Sequence, residues 1–204
     1  MIRLKKAGAE LQFWLPLISC THGMISSEII QLGPDTVMNY PDTDIMCFLV
    51  TNANGRYIKE LSRRRYIPIR KELLDLGILA LVERAEKEGW RTLWSAVEAE
   101  EAEVPRVAGQ FSSFWASFSR CTLKIEEEDM TLYSFRHSFK DAMKSFGAPR
   151  PLQDALMGHA ESGTGKRYGN KKEPEPIPIK AVNEAIQGLS WTFLDGLKSP
   201  PLKL

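Results

Sequence analysis

Apolar residues recur at helical spacing along most of the chain, and this spacing predicts a mainly helical protein. The first apolar stripe lies within residues 1–32 and consists of Leu11, Trp14, Leu15 and Ile18. Pro16 is expected to limit or kink that helix. A second helix is predicted over residues 25–32, because Ser26 or Ser27 can cap its first turn. The Gly-Pro-Asp sequence at residues 33–35 then ends it.

Between residues 45 and 69 the pattern changes to short β-rich runs separated by turns. Three runs are predicted to pair as an antiparallel meander, and they span residues 45–50, 56–61 and 64–69. Helical spacing returns over residues 73–84, 109–120, 135–146, 151–157 and 179–189. Residues 98–109, between two of these helices, are predicted to form a mobile insert. The sequence therefore predicts an α+β fold that is mainly helical and carries a small three-stranded antiparallel sheet.

The helix predicted over residues 135–146 combines an apolar stripe with a basic row. Arg136, Lys140 and Lys144 follow one another at a spacing of four on one face. His137 is expected to have a structural role beside Arg136. His22 is interpreted as incidental, and one further aromatic stripe is expected to pack in the core rather than to stack on bases. That stripe consists of Phe111, Phe114, Trp115 and Phe118.

Composition places the chain among ordinary globular proteins. Its 204 residues suit one domain, or one domain with a small attachment, with 43% hydrophobic and 26% charged residues. No apolar run reaches the roughly 18 residues that a membrane-spanning helix needs. The three cysteines, Cys20, Cys47 and Cys121, show no motif spacing. This favours reduced, buried thiols and a cytoplasmic location.

The net charge is only +1, but the charges are segregated along the chain. Seven basic residues lie between positions 56 and 71: Arg56, Lys59, Arg63, Arg64, Arg65, Arg70 and Lys71. Four more lie within residues 166–172, whereas acidic runs occupy residues 98–103 and 126–129. Such segregation favours a face that binds a polyanion, although solvated charged faces account for the same pattern.

Four side chains have the chemistry that a phosphodiester requires: Lys59, Arg136, His159 and Tyr168. An arginine fork holds two phosphate oxygens, and an imidazole can bond to another. A lysine can protonate the departing alkoxide, and a tyrosine can attack phosphorus covalently. The sequence has neither a Gly-rich phosphate loop nor a His/Cys cluster. The pattern indicates strand transfer without a metal or other cofactor.

Over residues 14–197 the chain resembles the catalytic domain of the tyrosine recombinases, the phage integrase family. The sequence YSFRHSF around Arg136 is similar to the H-x-x-R segment of that family, and LMGHA around His159 resembles its L-L-G-H box. Tyr168 follows His159 at the usual spacing of nine residues. The sequence KELSRRRYIP matches the length of the family's lysine hairpin, which places Lys59 on the lysine.

The resemblance implies a role for each matched residue. Tyr168 would attack a DNA phosphate and form a 3′-phosphotyrosine, while Arg136 and His159 would bind the phosphate. Lys59 would be the acid for the leaving 5′-hydroxyl. The residues expected to contact the DNA backbone are Arg63, Arg64, Arg65, Lys140, Lys166 and Arg167.

The resemblance also implies partners and an organisation. Duplex DNA would be the substrate in site-specific recombination or integration, and the family acts as tetramers that exchange C-terminal segments. Residues 1–204 are interpreted as one catalytic domain without the family's N-terminal DNA-clamping domain. Residues 172–204 form its C-terminal tail and helix, which would pack in trans or fold back in cis.

Two positions depart from the family's pattern. Ile25 occupies the place of the first catalytic arginine, in a segment where Gly23 and Glu28 match. Tyr133 replaces the histidine of H-x-x-R, and its phenol can still donate one hydrogen bond. Losing one preorganised donor costs about 3–4 kcal/mol of transition-state stabilisation. Three functions stay open: an active strand-transfer enzyme, a DNA-binding relative that cuts weakly or not at all, and a structural or regulatory domain without DNA.

Overall fold

The computed structural model describes residues 4–94, 103–159 and 177–198. The α-helices within these ranges are α1 (Leu4–His22), α2 (Ser26–Ile30), α3 (Lys71–Asp75), α4 (Ile78–Glu88), α5 (Val104–Cys121), α6 (Ser134–Ser145), α7 (Arg150–Met157) and α8 (Ile179–Gly188). The strands are β1 (Val37–Asn39), β2 (Met46–Val50) and β3 (Arg65–Pro68). The prediction of a mainly helical α+β fold with a small sheet is confirmed.

The sheet has three antiparallel strands in the order β1-β2-β3, but one of the predicted strands is wrong. Residues 56–61 form no strand; the third strand is β1, which lies at the edge beside β2. The register sets Phe48 of β2 opposite both Val37 of β1 and Ile67 of β3. All three side chains are buried, so this face of the sheet belongs to the core.

Gln31 explains why the segment after β2 stays out of the sheet. Its side-chain Nε2 donates to the Tyr57 carbonyl at 2.9 Å, and its Oε1 accepts the Tyr57 N–H. One side-chain amide therefore satisfies both backbone groups that a neighbouring strand would otherwise pair. Residues 56–58 run beside α2 instead of extending the sheet.

Three helix boundaries differ from the predicted ones. Pro16 lies inside α1, which continues to His22. The helix predicted over residues 73–84 is two helices, because Gly77 takes φ +89° between α3 and α4. The mobile insert predicted over residues 98–109 is wrong from Val104 onward, because α5 begins at that residue. Residues 95–102 lie outside the described ranges.

Helix α1 occupies the centre of the fold, packed against α2 and α6, while α5 covers α2. Its predicted apolar stripe is fully buried. Phe111 of α5 is also in the core, and Phe114 and Trp115 pack against it as predicted, whereas Phe118 is half-buried, stacks on Phe114 and lies outside the core cluster. Helices α7 and α8 both pack against β3, which brings the end of α7 close to α6 and the sheet.

His22, interpreted as incidental from the sequence, is fully buried and joins α1 to the segment after β3. Its Nε2 accepts the Arg70 backbone N–H at 3.1 Å, and its Nδ1 lies 2.7 Å from Thr21 Oγ1. The ring packs edge-on against Phe48. Burial, with a smaller contribution from the Arg70 charge, lowers the pKa of His22 to about 3. His22 is therefore a neutral acceptor at the centre of the fold.

Helix α8 folds back onto its own chain. Gln187 Nε2 donates to the Ile69 carbonyl at 3.0 Å, and its Oε1 accepts the Lys71 N–H at 3.1 Å. The buried Arg70 guanidinium donates to the Ile186 carbonyl and pairs with Glu72. Within this one chain, α8 therefore packs in cis.

The three cysteine thiols are free, as predicted, but only Cys20 and Cys47 are buried. Cys121 is exposed at the end of α5, so that part of the prediction is wrong. Burial raises the pKa of Cys20 to about 11 and that of Cys47 to about 12. Among the described helices, none combines the length and apolarity that crossing a membrane requires.

Candidate functional site

Arg136 lies in the first turn of α6 and is only 2% exposed. Its Nη1 donates to the Gly23 carbonyl, and its Nη2 donates to the Met157 carbonyl. The same Nη2 is 3.4 Å from His159 Nε2. The guanidinium therefore joins α6 to the α1–α2 turn and to the end of α7, while its buried Nε has no partner within the described structure.

The α1–α2 turn presents the Gly23 carbonyl to Arg136 through a left-handed glycine. Gly23 has φ +66°, and a Cβ atom there would be 2.4 Å from the Phe139 ring and 3.1 Å from Met157 Sδ. Only glycine combines this φ with such close packing. The first turn of α6 thus approaches the α1–α2 turn closely enough for Arg136 to reach its backbone.

His159 leaves α7 immediately after Gly158, which adopts φ +61° and ends the helix. The His159 backbone N–H donates to the Asp154 carbonyl at 2.9 Å, and the Asp154 carboxylate lies 3.6 Å from Nδ1. Burial and the Arg136 charge lower the pKa of His159, Asp154 raises it, and Lys140 lowers it. Lys140 of α6 is therefore close enough to act on the imidazole, and His159 is favoured in its neutral form near pH 7.

Arg65 of β3 holds the other side of the same helix end. Its Nε donates to the Leu156 carbonyl at 2.9 Å, and its Nη1 and Nη2 bind the two Glu28 carboxylate oxygens at 2.9 Å each. Nη1 also donates to the Arg63 carbonyl. The Arg65 and Glu28 side chains are 9% and 4% exposed, so this is a buried, bidentate ion pair.

Ile25 precedes α2 and supplies only its backbone to this network. Its N–H donates to Glu28 Oε2 at 3.1 Å, an N-terminal capping interaction. The side chain is half-buried and apolar. At the position where the resemblance expects an arginine, no side-chain donor is present.

Tyr133 and His137 lie on the exposed side of the Arg136 turn. Tyr133 is 53% exposed, and its ring meets His137 edge-on at 4.9 Å between centroids. Burial lowers the pKa of the Arg136 guanidinium, whereas the Glu28 carboxylate and the Tyr133 phenol raise it. Tyr133 therefore interacts with Arg136 as well as with His137. The structural role expected for His137 is an aromatic contact with Tyr133.

The structure brings five of the predicted site residues to the end of α7, and three others lie outside its described ranges. Arg136 is 3.4 Å from His159, and Arg65 binds the Leu156 carbonyl. Tyr133 raises the pKa of Arg136, and Lys140 lowers the pKa of His159. Lys59 is exposed in the segment between β2 and β3. The residue before it, Ile58, lines a narrow pocket together with Glu28. Arg64 is exposed, and Arg63 is half-buried. Tyr168, Lys166 and Arg167 lie outside the described residues.

Sequence reasoning missed the residues that orient this group. Glu28 was visible as a favourable charge in the first turn of α2, but its partner Arg65 is distant in sequence. Asp154 stands five residues before His159, and the left-handed Gly158 between them brings the two together. The described residues contain no group of three His, Cys, Asp or Glu side chains placed to hold a metal ion.

Comparison with protein-family models, with curated proteins and with solved structures finds no match to this chain.

Proposed function

We propose that this chain binds the phosphate backbone of duplex DNA on the face around His159, as a relative of the tyrosine recombinases with strongly weakened strand transfer. The observation that carries the proposal is the meeting of phosphate-binding side chains from two elements. Helix α6 contributes Arg136 and Lys140, and α7 leads to His159, whose Nε2 is 3.4 Å from Arg136 Nη2. Clustered basic groups from separate elements favour a polyanion as the ligand.

Weakened transfer follows from the state of the two arginine positions. The Arg136 guanidinium is committed to the Gly23 and Met157 carbonyls, and Ile25 offers no side-chain donor at the other position. The resemblance expects two arginines to bind the scissile phosphate. Here only Arg136 is available, and both of its Nη atoms already donate to backbone carbonyls. Removing one preorganised donor typically lowers a rate by about 10²–10³.

Binding is tested by fluorescence anisotropy of a labelled duplex over a series of salt concentrations. The logarithm of the association constant is expected to fall linearly with the logarithm of the salt concentration, with a slope of about −0.9 for each phosphate contacted. Alanine variants of Arg64 and Lys140 are expected to weaken binding and to reduce the slope. Absence of salt-dependent binding would favour a structural or regulatory domain without DNA.

An active recombinase remains the second candidate, because Arg136, His159 and Tyr168 follow in the order and spacing of that family. A nicked suicide substrate distinguishes it by trapping a covalent protein–DNA adduct. We expect little adduct from the wild type, more from Ile25→Arg, and none from Tyr168→Phe. Ready adduct formation by the wild type would support the active enzyme, and an adduct that persists in Tyr168→Phe would refute the assignment of the nucleophile.

A further inference from the structure

Arg65 is one of the basic residues expected to contact DNA, but its side chain is buried within the protein. Its side chain is 9% exposed, although the exposed Arg64 precedes it directly. Its Nε, Nη1 and Nη2 all donate to protein atoms, namely the Leu156 carbonyl, the Arg63 carbonyl and both oxygens of Glu28. A phosphate could reach this fork only by displacing a buried carboxylate.

The two guanidiniums of the site bind consecutive carbonyls at the end of α7. The last carbonyls of a helix have no partner within the helix. Here the Leu156 carbonyl accepts from Arg65, and the Met157 carbonyl accepts from Arg136. Two positive groups at a helix C-terminus are also favourable to the helix dipole. β3 and α6 therefore hold the helix end from which His159 emerges two residues later.

Gly158 lets Arg65 lie against this turn. A Cβ atom at position 158 would be 2.6 Å from Arg65 Nη1 and 3.0 Å from Cζ. The guanidinium thus lies directly over the residue that connects α7 to His159. Any shift of the Arg65 fork would move Gly158, and with it the imidazole that faces Arg136.

We infer that Arg65 is a positioning residue rather than a DNA contact: with Glu28 as its counter-ion, it fixes the end of α7 so that His159 faces Arg136. Arg65 acts through the backbone of residues 156–158 and touches no phosphate. The role assigned to His159 as a phosphate ligand rests on the proposed function. The positioning itself is a property of the free protein and is testable without DNA.

The first test follows the His159 imidazole by NMR titration of the full chain, which contains only three histidines. In the wild type the pKa of His159 is expected below its ordinary value because of burial and Arg136. Arg65→Lys keeps the charge but loses the fork, so we expect the pKa of His159 to rise toward its ordinary value. Arg64→Gln, the matched control, is expected to leave it unchanged.

A second variant covers the case in which a buried charge without its counter-ion unfolds the chain. Arg65→Met combined with Glu28→Gln removes both charges and keeps similar side-chain volumes. In this folded double variant, we expect the same rise in the pKa of His159 and faster hydrogen exchange at the end of α7. If the pKa of His159 in either Arg65→Lys or the double variant equals that of the wild type, the inference is overturned.

DNA binding provides an independent arm. Losing one phosphate contact lowers the salt slope by about 0.9. We expect that decrease in Arg64→Gln but not in Arg65→Lys or the double variant, whose affinity falls at an unchanged slope. A decrease of about 0.9 in the double variant would make Arg65 a phosphate contact and overturn the inference. If no variant binds DNA, the proposed function fails, while the titration still decides the positioning role.

Discussion

At the scale of single residues, Arg136 shows how the donors of a basic side chain can be occupied by acceptors of the protein itself. Both Nη atoms are bonded to backbone carbonyls, and the buried Nε is without a partner in the described structure. Leaving a buried donor unsatisfied costs about 1–3 kcal/mol. A ligand that satisfied Nε would recover part of that free energy. Arg136 therefore links α6 to the α1–α2 turn and to the end of α7, and its Nε is a donor without an acceptor in the described structure.

The turn that receives Arg136 gives the first prediction. Gly23→Ala is expected to destabilise the protein by about 1–3 kcal/mol more than Gly147→Ala, because overpacking a tight site has that cost. Both glycines have positive φ, so both variants carry the left-handed strain. Only at Gly23 would the new methyl group meet Phe139, since nothing lies within 4 Å at Gly147. Urea unfolding of the two variants measures the difference, and equal losses would contradict it.

His22 gives a prediction about acid stability. Its folded pKa of about 3 lies below the unfolded value of about 6.5. The unfolded chain therefore binds a proton that the folded chain excludes, and this contribution to stability is complete above pH 6.5 and lost as the pH falls toward 3. Each pH unit within this window removes about 1.4 kcal/mol from the free energy of unfolding.

Removal of the imidazole should abolish that contribution. His22→Gln is expected to be less stable than the wild type at pH 7, because it loses the contact with Phe48. The difference in the free energy of unfolding between the wild type and His22→Gln should narrow by about 1.4 kcal/mol per pH unit below about pH 6.5. Denaturant unfolding at several pH values measures it, with the exposed His137→Gln as control. A gap that stays constant between pH 6 and 4 would show that His22 is not the acid-sensitive group.

At the scale of elements, periodicity located the helices but could not choose the strands. The apolar stripe of α1 was predicted correctly, since each of its positions is buried. The run at residues 56–61 has the composition of a strand, yet Gln31, which follows α2, binds the backbone N–H and carbonyl of Tyr57. That competitor lies on another element, so no local pattern could reveal it. The three residues of β1 are too few to show alternation.

Helix α5 gives a prediction in the stabilising direction. Gly109 is an interior helical residue with no positive φ, and a Cβ atom there would meet nothing within 4 Å. Gly109→Ala should therefore stabilise the protein by about 0.5–1 kcal/mol, through the lower backbone entropy of the unfolded chain. Thermal unfolding measures this as a higher midpoint. An unchanged or lower midpoint would mean that α5 is not helical at this position in solution.

The attachment of α8 gives another prediction at this scale. Gln187→Ala leaves the Ile69 carbonyl and the Lys71 N–H without the partner that now joins them to α8. We expect faster hydrogen exchange of the α8 amides, at a cost of about 1–2 kcal/mol for two net hydrogen bonds. Gln153→Ala is the control, because its bond to the Ala148 carbonyl stays within the start of α7. Equal exchange in both variants would place the strength of the attachment elsewhere, in the Arg70 contact.

At the scale of the whole molecule, the sequence predicted that Arg136 and His159 belong together but not what orients them. The order of Arg136 and His159 along the chain indicated a shared site, and the two side chains do meet. Their orientation depends on Glu28, Arg65 and backbone carbonyls of distant elements. Such contacts arise from tertiary packing, which periodicity and motif spacing do not encode.

The segregated charge gives the last prediction, which concerns the molecule as a whole. Replacing two cations by carboxylates takes the net charge from +1 to −3, wherever the two residues lie. If overall charge governed DNA binding, Arg64→Glu with Lys140→Glu would act like Lys87→Glu with Lys180→Glu. Binding by one face predicts a difference, because exposed charges farther than about 10 Å from the DNA are largely screened at 0.1 M salt. We expect the first pair to lower the salt slope by about 1.8 and the second to leave it nearly unchanged. Anisotropy titrations of both double variants compare the two, and equal effects would refute a localised DNA-binding face.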